Sequence, residues 1–338
     1  MRPTMMDVAA RAGVSQATVS LVLNGSAGAR LSDATREKVR LAAEELGYTL
    51  VRRGQKETAV PATASLIEFV ADEVATDPWT PLIFEGARAK ALEYGINVSM
   101  SVMRGQGDRE NPVLEQLTGR PMLGLIYATM LTRQVKPPAA FYDLPTVLVN
   151  CYDARHKLPS VLPGELVAGR AATAHLIERG CRRVAIITGQ DGIDATRDRL
   201  RGYRQALSTA DIAFDPALVF PGNWEPSAGY DGARHLMALD DPPDGIFCCN
   251  DMMALGCYDA LKELGLRIPD DISVVGFDDR EIAQFMRPPL TTLVLPHFEL
   301  GAMAAEMLID MAGGLTPGHH QIKAECPLVV RGSVRPAG

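Results

Sequence analysis

The hydrophobic and polar positions of the first 25 residues predict two short helices joined by a glycine turn. Thr4 is suited to cap the first helix, which Gly13 ends. Ser15 is suited to cap the second helix, and Asn24 tolerates the left-handed conformation that closes it. Apolar residues recur at helical spacing and predict one buried seam between the helices, formed by Val8, Ala12, Val14, Val19 and Val22 or Leu23.

A third amphipathic helix begins at Ser32 and ends at Gly47, and its apolar face can cover the same seam. Burial of the seam leaves Gln16, Ala17 and Thr18 of the second helix facing outward. Small polar residues on such a helix are typical of helix-turn-helix domains that read DNA. Many helical hairpins with a glycine turn never bind DNA, so the pattern alone leaves both interpretations open.

Past Ala64, short apolar runs alternate with amphipathic stretches, as in SLIEFVA, PLIFEGARAKALEYG and INVSMSVM. This order of strand, helix and strand predicts a parallel sheet. Because the strands are almost continuously apolar, we expect helices on both faces of the sheet. The predicted fold class is therefore α/β, with an N-terminal three-helix helix-turn-helix headpiece and doubly wound parallel sheets.

Polar residues follow many of the predicted strands. In parallel α/β sheets, ligands bind beyond the carboxyl ends of the strands. Asn and Asp are also ordinary turn residues, but their recurrence at several strand ends favours a binding cleft. The residues at these ends are Asp72, Asn150, Gly189, Asn250, Asp251, Asp278 and Asp279.

Charge is unevenly distributed along the 338 residues. Residues 1–60 carry a net charge of +3 and the remainder carries −10. A basic N-terminal region attracts phosphate, so the overall charge of −7 does not exclude DNA binding. Arg52 and Arg53 lie in a polar stretch where they could follow the DNA backbone or enter a narrow minor groove.

The six cysteines contain no CxxC spacing, and no apolar segment of signal-peptide length begins the chain, so we expect a cytoplasmic protein. Adjacent Cys248 and Cys249 end an apolar run and are expected to be small buried hydrophobic residues rather than metal ligands. No run approaches the roughly 20 apolar residues of a membrane helix. We therefore expect no membrane partner, and we predict no metal and no cofactor.

Several segments resemble the LacI/GalR family of bacterial transcriptional regulators. DVAARAGVSQATVSLVLNG, followed by LSDATREKV and ELGY, resembles the family's headpiece. NDMMALGCYDALKELGLRIPDDISVVGFDD and PPLTTL resemble its two-lobed sensor, which looks like a periplasmic sugar-binding protein. The resemblance implies a homodimer whose partners are a double-stranded DNA operator and a small-molecule effector, a mono- or disaccharide.

The resemblance also implies a division of the chain into four parts: a headpiece at 1–48, a hinge at 49–63, a ligand-binding and dimerisation domain at 64–332 and a tail at 333–338. Within the sensor it implies two lobes, one of about 64–161 with 296–324 and the other of about 162–295 with 325–332.

The hinge departs from the family pattern. In relatives it forms a short helix whose leucine wedges into the minor groove, whereas the corresponding position here looks like Glu57. Phosphates repel a carboxylate, and Gly54 weakens a helix by about 1 kcal/mol relative to alanine. A basic flexible linker is the alternative interpretation.

Carried over residue by residue, the resemblance implies DNA contacts from the second helix. Gln16 is suited to bind adenine through two hydrogen bonds, Ala17 to pack against a thymine methyl group and Leu21 to make an apolar contact. The other expected DNA-binding residues are Ser15, Thr18 and Asn24, which would contact phosphates, and Thr4.

In the sensor, Arg199 resembles the arginine that holds the ligand's polar edge, and Asp278 resembles the carboxylate that accepts hydrogens from the ligand. Both are expected to contact the ligand rather than to form buried ion pairs. Trp224 is expected to be a stacking platform rather than a core residue, whereas ligand and core roles are evenly balanced for Trp79 and His297. The remaining expected ligand contacts are Asn150 and Asn250.

The predicted function is a repressor of carbohydrate genes that binds a near-palindromic operator as a dimer and is switched by a small sugar. A purine or nucleoside effector is the alternative. A solute-binding protein that does not bind DNA is a further alternative, which the headpiece disfavours. The chain contains no GxGxxG after a strand, GxxxxGK[ST], GxSxG or HExxH, so no enzyme is predicted.

Overall fold

The chain divides into two compact units, Met1–Ala59 and Val60–Gly338, and each is described by itself. The structure is a computed structural model that describes residues 5–14, 16–23, 33–46, 66–75, 78–103, 121–315 and 320–336. Within these ranges, no helix combines the length and the apolar character that crossing a membrane requires.

The smaller unit contains three helices, α1 (Met5–Ala12), α2 (Gln16–Leu23) and α3 (Asp33–Glu45). Gly13 adopts a φ of 67° and ends α1, as predicted. The N–H of Val14 then donates to the carbonyl oxygen of Ala9 over 3.1 Å, which gives the Schellman pattern of a glycine-capped helix.

The predicted seam is confirmed. Val8 and Val19 are fully buried with Val22 between α1 and α2, and α3 covers them with Val39 and Ala42. The other predicted seam residues, Ala12, Val14 and Leu23, pack against this cluster. The local period of the sequence therefore decides the core of this unit, because a helix presents residues three and four apart on one face.

The larger unit contains two separate parallel sheets. The first has the strand order β11-β5-β4-β3-β1-β2, and all of its pairings are parallel. Its strands are β1 (Leu66–Ala71), β2 (Asn97–Val102), β3 (Gly124–Val135), β4 (Thr146–Asp153), β5 (Ser160–Pro163) and β11 (Gln321–Ala324). Helices α4 (Thr80–Leu92) and α9 (His297–Ala312) pack beside it.

The second sheet has the order β7-β6-β8-β9 and is also entirely parallel. Its strands are β6 (Val184–Ile187), β7 (Val219–Phe220), β8 (Gly245–Cys248) and β9 (Ser273–Val275). The helices that accompany it are α5 (Glu165–Glu178), α6 (Asp194–Thr209), α7 (Pro226–Met237) and α8 (Asp251–Glu263). The predicted α/β class with doubly wound parallel sheets is confirmed.

The chain crosses between the two sheets more than once. After β5 it enters the second sheet, and after β9 it returns through β10 (Thr292–Leu293), which pairs antiparallel with β12 (Leu328–Val329). Ser333, in the predicted tail, is fully buried, and its hydroxyl donates to the carbonyl oxygen of Val274 over 2.6 Å. The C-terminal residues described here are therefore packed against β9.

Two glycines allow the close contact of α4 with α9. A Cβ added at Gly86 would overlap the backbone carbonyl of Phe298, and one added at Gly301 would overlap that of Ile83. This contact holds the start of α9 against the first sheet. His297 is the first residue of α9.

Candidate functional site

Several residues in the loops that follow the strands adopt unusual backbone conformations. Positive φ values occur at Asn150 (58°), Trp224 (73°), Asp278 (109°) and Asp279 (51°). Such conformations in residues other than glycine cost energy and cluster at ligand sites. Three of the strand-end residues that the sequence singled out, Asn150, Asp278 and Asp279, therefore carry local strain.

Arg199 lies on α6 and is almost fully buried. Its Nε donates to Glu165 Oε2 over 2.6 Å, and its Nη2 donates to Glu165 Oε1 over 3.1 Å. Its Nη1 donates to the carbonyl oxygen of Cys249. Arg199 therefore forms a buried ion pair, which the sequence interpretation disfavoured, because Glu165 at the start of α5 lies against it although it is 34 residues away in the chain. The expected contact of Arg199 with a ligand stays a prediction.

The guanidinium of Arg199 also lies over an aromatic ring, with Cζ 3.5 Å from the ring centroid of Phe277. Burial alone would lower the pKa of Arg199, but the carboxylate of Glu165 opposes this and holds the pKa above its ordinary value. Two of its five N–H groups form no bond to the described residues and can bind a further acceptor.

Asp278 is buried beside Arg199. Burial raises the pKa of Asp278 well above its ordinary value, and the charge of Arg199 opposes this rise. Its backbone N–H donates to the carbonyl oxygen of Leu293 over 2.8 Å. That bond fixes the loop after β9 against β10, so the carboxyl group is held in place by its backbone.

Asp251 binds this loop through its carboxylate. Its carboxylate accepts a hydrogen bond from the Thr292 hydroxyl over 2.6 Å and one from the Arg280 backbone N–H over 2.7 Å. Burial raises the pKa of Asp251 to about 7 despite these two bonds. Asp251 is thus a buried acid that joins the loop to the start of α8.

Asn250 caps α8 and positions Trp224. Its Oδ1 accepts from the Met253 backbone N–H over 2.8 Å, and its Nδ2 donates to the carbonyl oxygen of Trp224 over 2.9 Å. The amide of Asn250 is therefore engaged within the protein, and its expected contact with a ligand stays a prediction.

Asn150 is engaged in the same way on the first sheet. Its Nδ2 donates to the carbonyl oxygens of Thr129, over 3.0 Å, and Met130, over 2.7 Å. Its Oδ1 accepts from the Thr132 hydroxyl over 2.6 Å. Both amide hydrogens therefore hold the segment within β3, and the ligand role of Asn150 likewise stays a prediction.

Trp224 lies directly on the backbone of Gly189, where an added Cβ would overlap the indole. Its ring centroid is 5.5 Å from Arg199 Cζ. The indole Nε1 is buried and has no hydrogen-bond partner among the described residues. The second sheet therefore presents an aromatic ring with an unsatisfied donor beside Arg199.

His297 and Trp79 form a stacked pair. Their ring centroids are 4.6 Å apart, and their planes differ by 19°. Both nitrogens of His297 are buried without a hydrogen-bond partner in the described part of the chain. Burial lowers the pKa of His297 to about 3, with a smaller contribution from the charge of Arg199, so the ring is neutral at pH 7.

The residues that the structure joins into one group come from both sheets. Arg199, Trp224 and Asp278 belong to the second, and His297 and Trp79 adjoin the first. Buried polar groups are usually hydrogen-bonded, so unsatisfied nitrogens in such a group indicate a site for a polar ligand. We define Arg199, Glu165, Trp224, Asp278, His297 and Trp79 as the cleft cluster.

Sequence reasoning missed Glu165 and Phe277. Glu165 follows β5 within two residues, so the rule that singles out polar residues after strands would have found it. Phe277 directly precedes Asp278 in GFDD, and the strand-end rule considers only polar residues. Among the residues that the structure describes, no group of three or more His, Cys, Asp or Glu side chains could hold a metal ion. Cys248 and Cys249 are fully buried, as expected.

Most of the expected DNA contacts fall outside what the structure describes. This holds for Thr4, Ser15, Asn24, Arg52 and Arg53, and for Glu57 of the hinge. The backbone of α2 carries Gln16, Ala17 and Leu21, whose side chains also lie outside the description. Thr18 is half-buried on this helix.

Two family models match the chain. Residues 4–49 match "Bacterial regulatory proteins, lacI family", and residues 173–334 match "Periplasmic binding protein-like domain". The repressor CytR of Escherichia coli (strain K12) is 33% identical over 339 residues, which cover 98% of this chain and 96% of the relative.

Solved structures of transcriptional regulators are also similar to this chain. The transcriptional regulator CelR in complex with cellobiose is 32% identical, with a TM-score of 0.67 over 98% of this chain and all of that one. The lac repressor dimer bound to operator and the anti-inducer ONPF is 27% identical, with a TM-score of 0.68 over 99% of this chain and all of that one. The chain therefore belongs to the lacI family of bacterial regulatory proteins, and it joins that family's DNA-binding domain to a periplasmic-binding-protein-like sensor.

Proposed function

We propose that this regulator represses transcription as a homodimer on a near-palindromic operator and that a small sugar in the cleft cluster switches it. The headpiece supplies DNA recognition, and the sensor supplies the response to the effector. Ligand bound between the sheets favours one arrangement of the lobes, which changes how two headpieces engage successive major grooves about one helical turn apart.

The observation that carries the effector proposal is the unsatisfied imidazole of His297. Its imidazole is almost fully buried, stacked on Trp79 and without a partner for either nitrogen among the described residues. One nitrogen of a neutral imidazole donates and the other accepts, so a hydroxyl-bearing ligand satisfies both. The apolar face of a sugar also stacks well on an indole, which Trp224 and Trp79 offer.

A thermal-shift panel of mono- and disaccharides, nucleosides and nucleobases tests this proposal. A ligand that binds only the folded protein raises its stability by about 2.7 kcal/mol at a hundredfold excess over Kd. We expect a saccharide to stabilise the protein and Asp278→Asn to abolish the shift. Asp270→Asn is the matched control, because Asp270 is exposed on the same lobe.

A nucleoside or purine is the second candidate, and it rests on a specific feature. The cleft cluster contains a flat stacked pair, Trp79 and His297, and a further flat ring, the indole of Trp224. Flat rings stack on either surface, and Asp278 could accept a ring N–H. Stabilisation by nucleosides without stabilisation by saccharides would favour this candidate.

The DNA-binding part of the proposal assigns base contacts to Gln16, Ala17 and Leu21, and phosphate contacts to Ser15, Thr18 and Asn24. Gln16→Ala tests it. We expect the preference for adenine over other bases to fall by about 1–3 kcal/mol at one operator position, and the base preference at the other positions to stay unchanged. Uniform weakening on every operator variant would exclude base reading by Gln16. Sedimentation with and without operator DNA tests the dimer.

The remaining proposals follow the family division. Residues 1–48 form the DNA-binding domain, 49–63 connect it to the sensor, and 64–332 bind the effector and dimerise. Arg52 and Arg53 of the connector contact the DNA backbone, and the protein acts in the cytoplasm. A weaker dependence of DNA affinity on salt concentration when both arginines are replaced by glutamine would support their phosphate contacts.

A further inference from the structure

We infer that Glu165 restricts the effector to uncharged ligands and excludes phosphorylated ones. The inference rests on the proposed function, because it concerns the ligand of the cleft cluster. Its basis is the direct pairing of Glu165 with Arg199, the guanidinium at the centre of that cluster.

Glu165 binds Arg199 through two hydrogen bonds and balances its positive charge. Two parallel hydrogen bonds, of 2.6 and 3.1 Å, join the carboxylate to the guanidinium. Both side chains are at least 96% buried, so solvent does not replace either partner. A guanidinium that would otherwise attract an anionic ligand already has its counter-charge inside the protein.

The neighbouring charges leave no strong anion site. Asp278 is buried beside Arg199 and adds either a negative charge or a neutral acid, never a cation. Arg280 is half-buried and lies 5.2 Å from the ring centroid of Trp79, where solvent partly screens it. Asp279 is paired with Arg331 over 2.6 Å.

The hydrogen-bonding capacity that remains suits hydroxyl groups. Arg199 keeps two N–H groups that are not bonded to the described residues, and Trp224 and His297 present buried nitrogens without partners there. Hydroxyl oxygens satisfy such groups without bringing a charge into the site. A phosphate would enter a buried region beside two carboxyl groups, where an uncompensated charge is strongly unfavourable.

Inorganic phosphate is the first probe, because it requires no knowledge of the effector. Binding is measured by calorimetry on the full chain at constant ionic strength, for the wild type, Glu165→Gln and Glu178→Gln. Glu178 lies at the other end of α5 and is exposed, so its variant carries the same change in charge. We expect Glu165→Gln alone to bind phosphate at least tenfold more tightly. Equal affinities in all three proteins would overturn the inference.

A second measurement uses only the wild type and decides the question if Glu165→Gln does not fold. Ribose is compared with ribose 5-phosphate, glucose with glucose 6-phosphate, and adenosine with its monophosphate. Stabilisation by the uncharged member of a pair alone supports the inference. Stabilisation by the phosphorylated member overturns the inference and leaves the sensor function intact. Silence across all pairs contradicts the proposed effector class and overturns the inference together with it.

Discussion

His297 stacks against Trp79 with ring centroids 4.6 Å apart, and neither imidazole nitrogen has a hydrogen-bond partner among the described residues. Burial lowers the pKa of His297 from its ordinary 6.5 to about 3. The folded protein therefore binds this proton less tightly than the unfolded chain does. Stability from the neutral ring is fully present above pH 6.5 and is lost as the pH falls from 6.5 towards 3.

The first prediction concerns this pH window. We expect His297→Phe, which stays aromatic but cannot be protonated, to reduce the slope of unfolding free energy against pH between 6 and 4. The reduction approaches about 1.4 kcal/mol per pH unit, the value for one proton. Urea unfolding at several pH values measures it. The exposed His320→Phe serves as the control, and an unchanged slope in His297→Phe would contradict the prediction.

The second prediction concerns Asp251, whose pKa is raised by burial to about 7. Here the folded protein binds the proton more tightly, so the stability contribution is present at low pH and is lost as the pH rises from about 4 to 7. Asp251→Asn resembles the protonated acid and can still accept from the Arg280 N–H. We expect the variant to lose less stability than the wild type over this pH interval.

The measurement for Asp251 is again urea unfolding, from pH 4 to 8. Asp259→Asn is the matched control, because Asp259 is exposed on the same helix. If the unfolding free energy of Asp251→Asn depends on pH as that of the wild type does, the carboxyl group of Asp251 ionises freely in the folded protein.

The third prediction concerns the contact of Gly189 with Trp224. A Cβ at position 189 would overlap the indole, so Gly189→Ala must displace the ring from the backbone. In a Trp79→Phe background, Trp224 is the only tryptophan of the chain. We expect Gly189→Ala to shift the fluorescence emission of Trp224 to the red and to increase its quenching by acrylamide, relative to the Trp79→Phe protein that keeps Gly189. Identical spectra would mean that the indole does not lie on Gly189.

The fourth prediction concerns a contact between the two sheets. The hydroxyl of Tyr152, on β4, donates to the carboxylate of Asp194, at the start of α6. Tyr152→Phe removes only this hydroxyl, and the partly buried bond is expected to contribute about 1 kcal/mol. We expect small-angle scattering to give a larger radius of gyration for the variant, because the lobes separate more readily. Tyr142→Phe, an exposed tyrosine, is the control, and equal radii would exclude this role.

The helices of the headpiece and the alternation of strands with helices could be predicted because they depend on local periodicity. Val8 and Val19 share the seam that their spacing indicated, and Gly13 ends α1 with the expected positive φ. The strand-end rule also singled out Asn150, Asp278 and Asp279, which adopt positive φ values. These features follow from residues close together in sequence, so a single sequence suffices to predict them.

The partners of the buried polar groups could not be predicted in this way. Asn150 and Asn250 were expected to contact a ligand, which stays a prediction. Their amides bind protein groups whose positions depend on the loops around them. Arg199 was expected to have no buried partner, but Glu165 lies against it. Nothing in the spacing of these residues indicates which atoms come within 3 Å of each other.

The sequence by itself determined the division into a DNA-binding headpiece and an α/β sensor, the order of strands and helices, and the positions where polar residues leave the sheets. Only the tertiary structure decided that Glu165 neutralises Arg199 and that His297 is buried on Trp79 without a partner among the described residues. The physical reason is that periodicity is a local property of the chain. The state of a charge or of an imidazole depends instead on distant residues and on the exclusion of water.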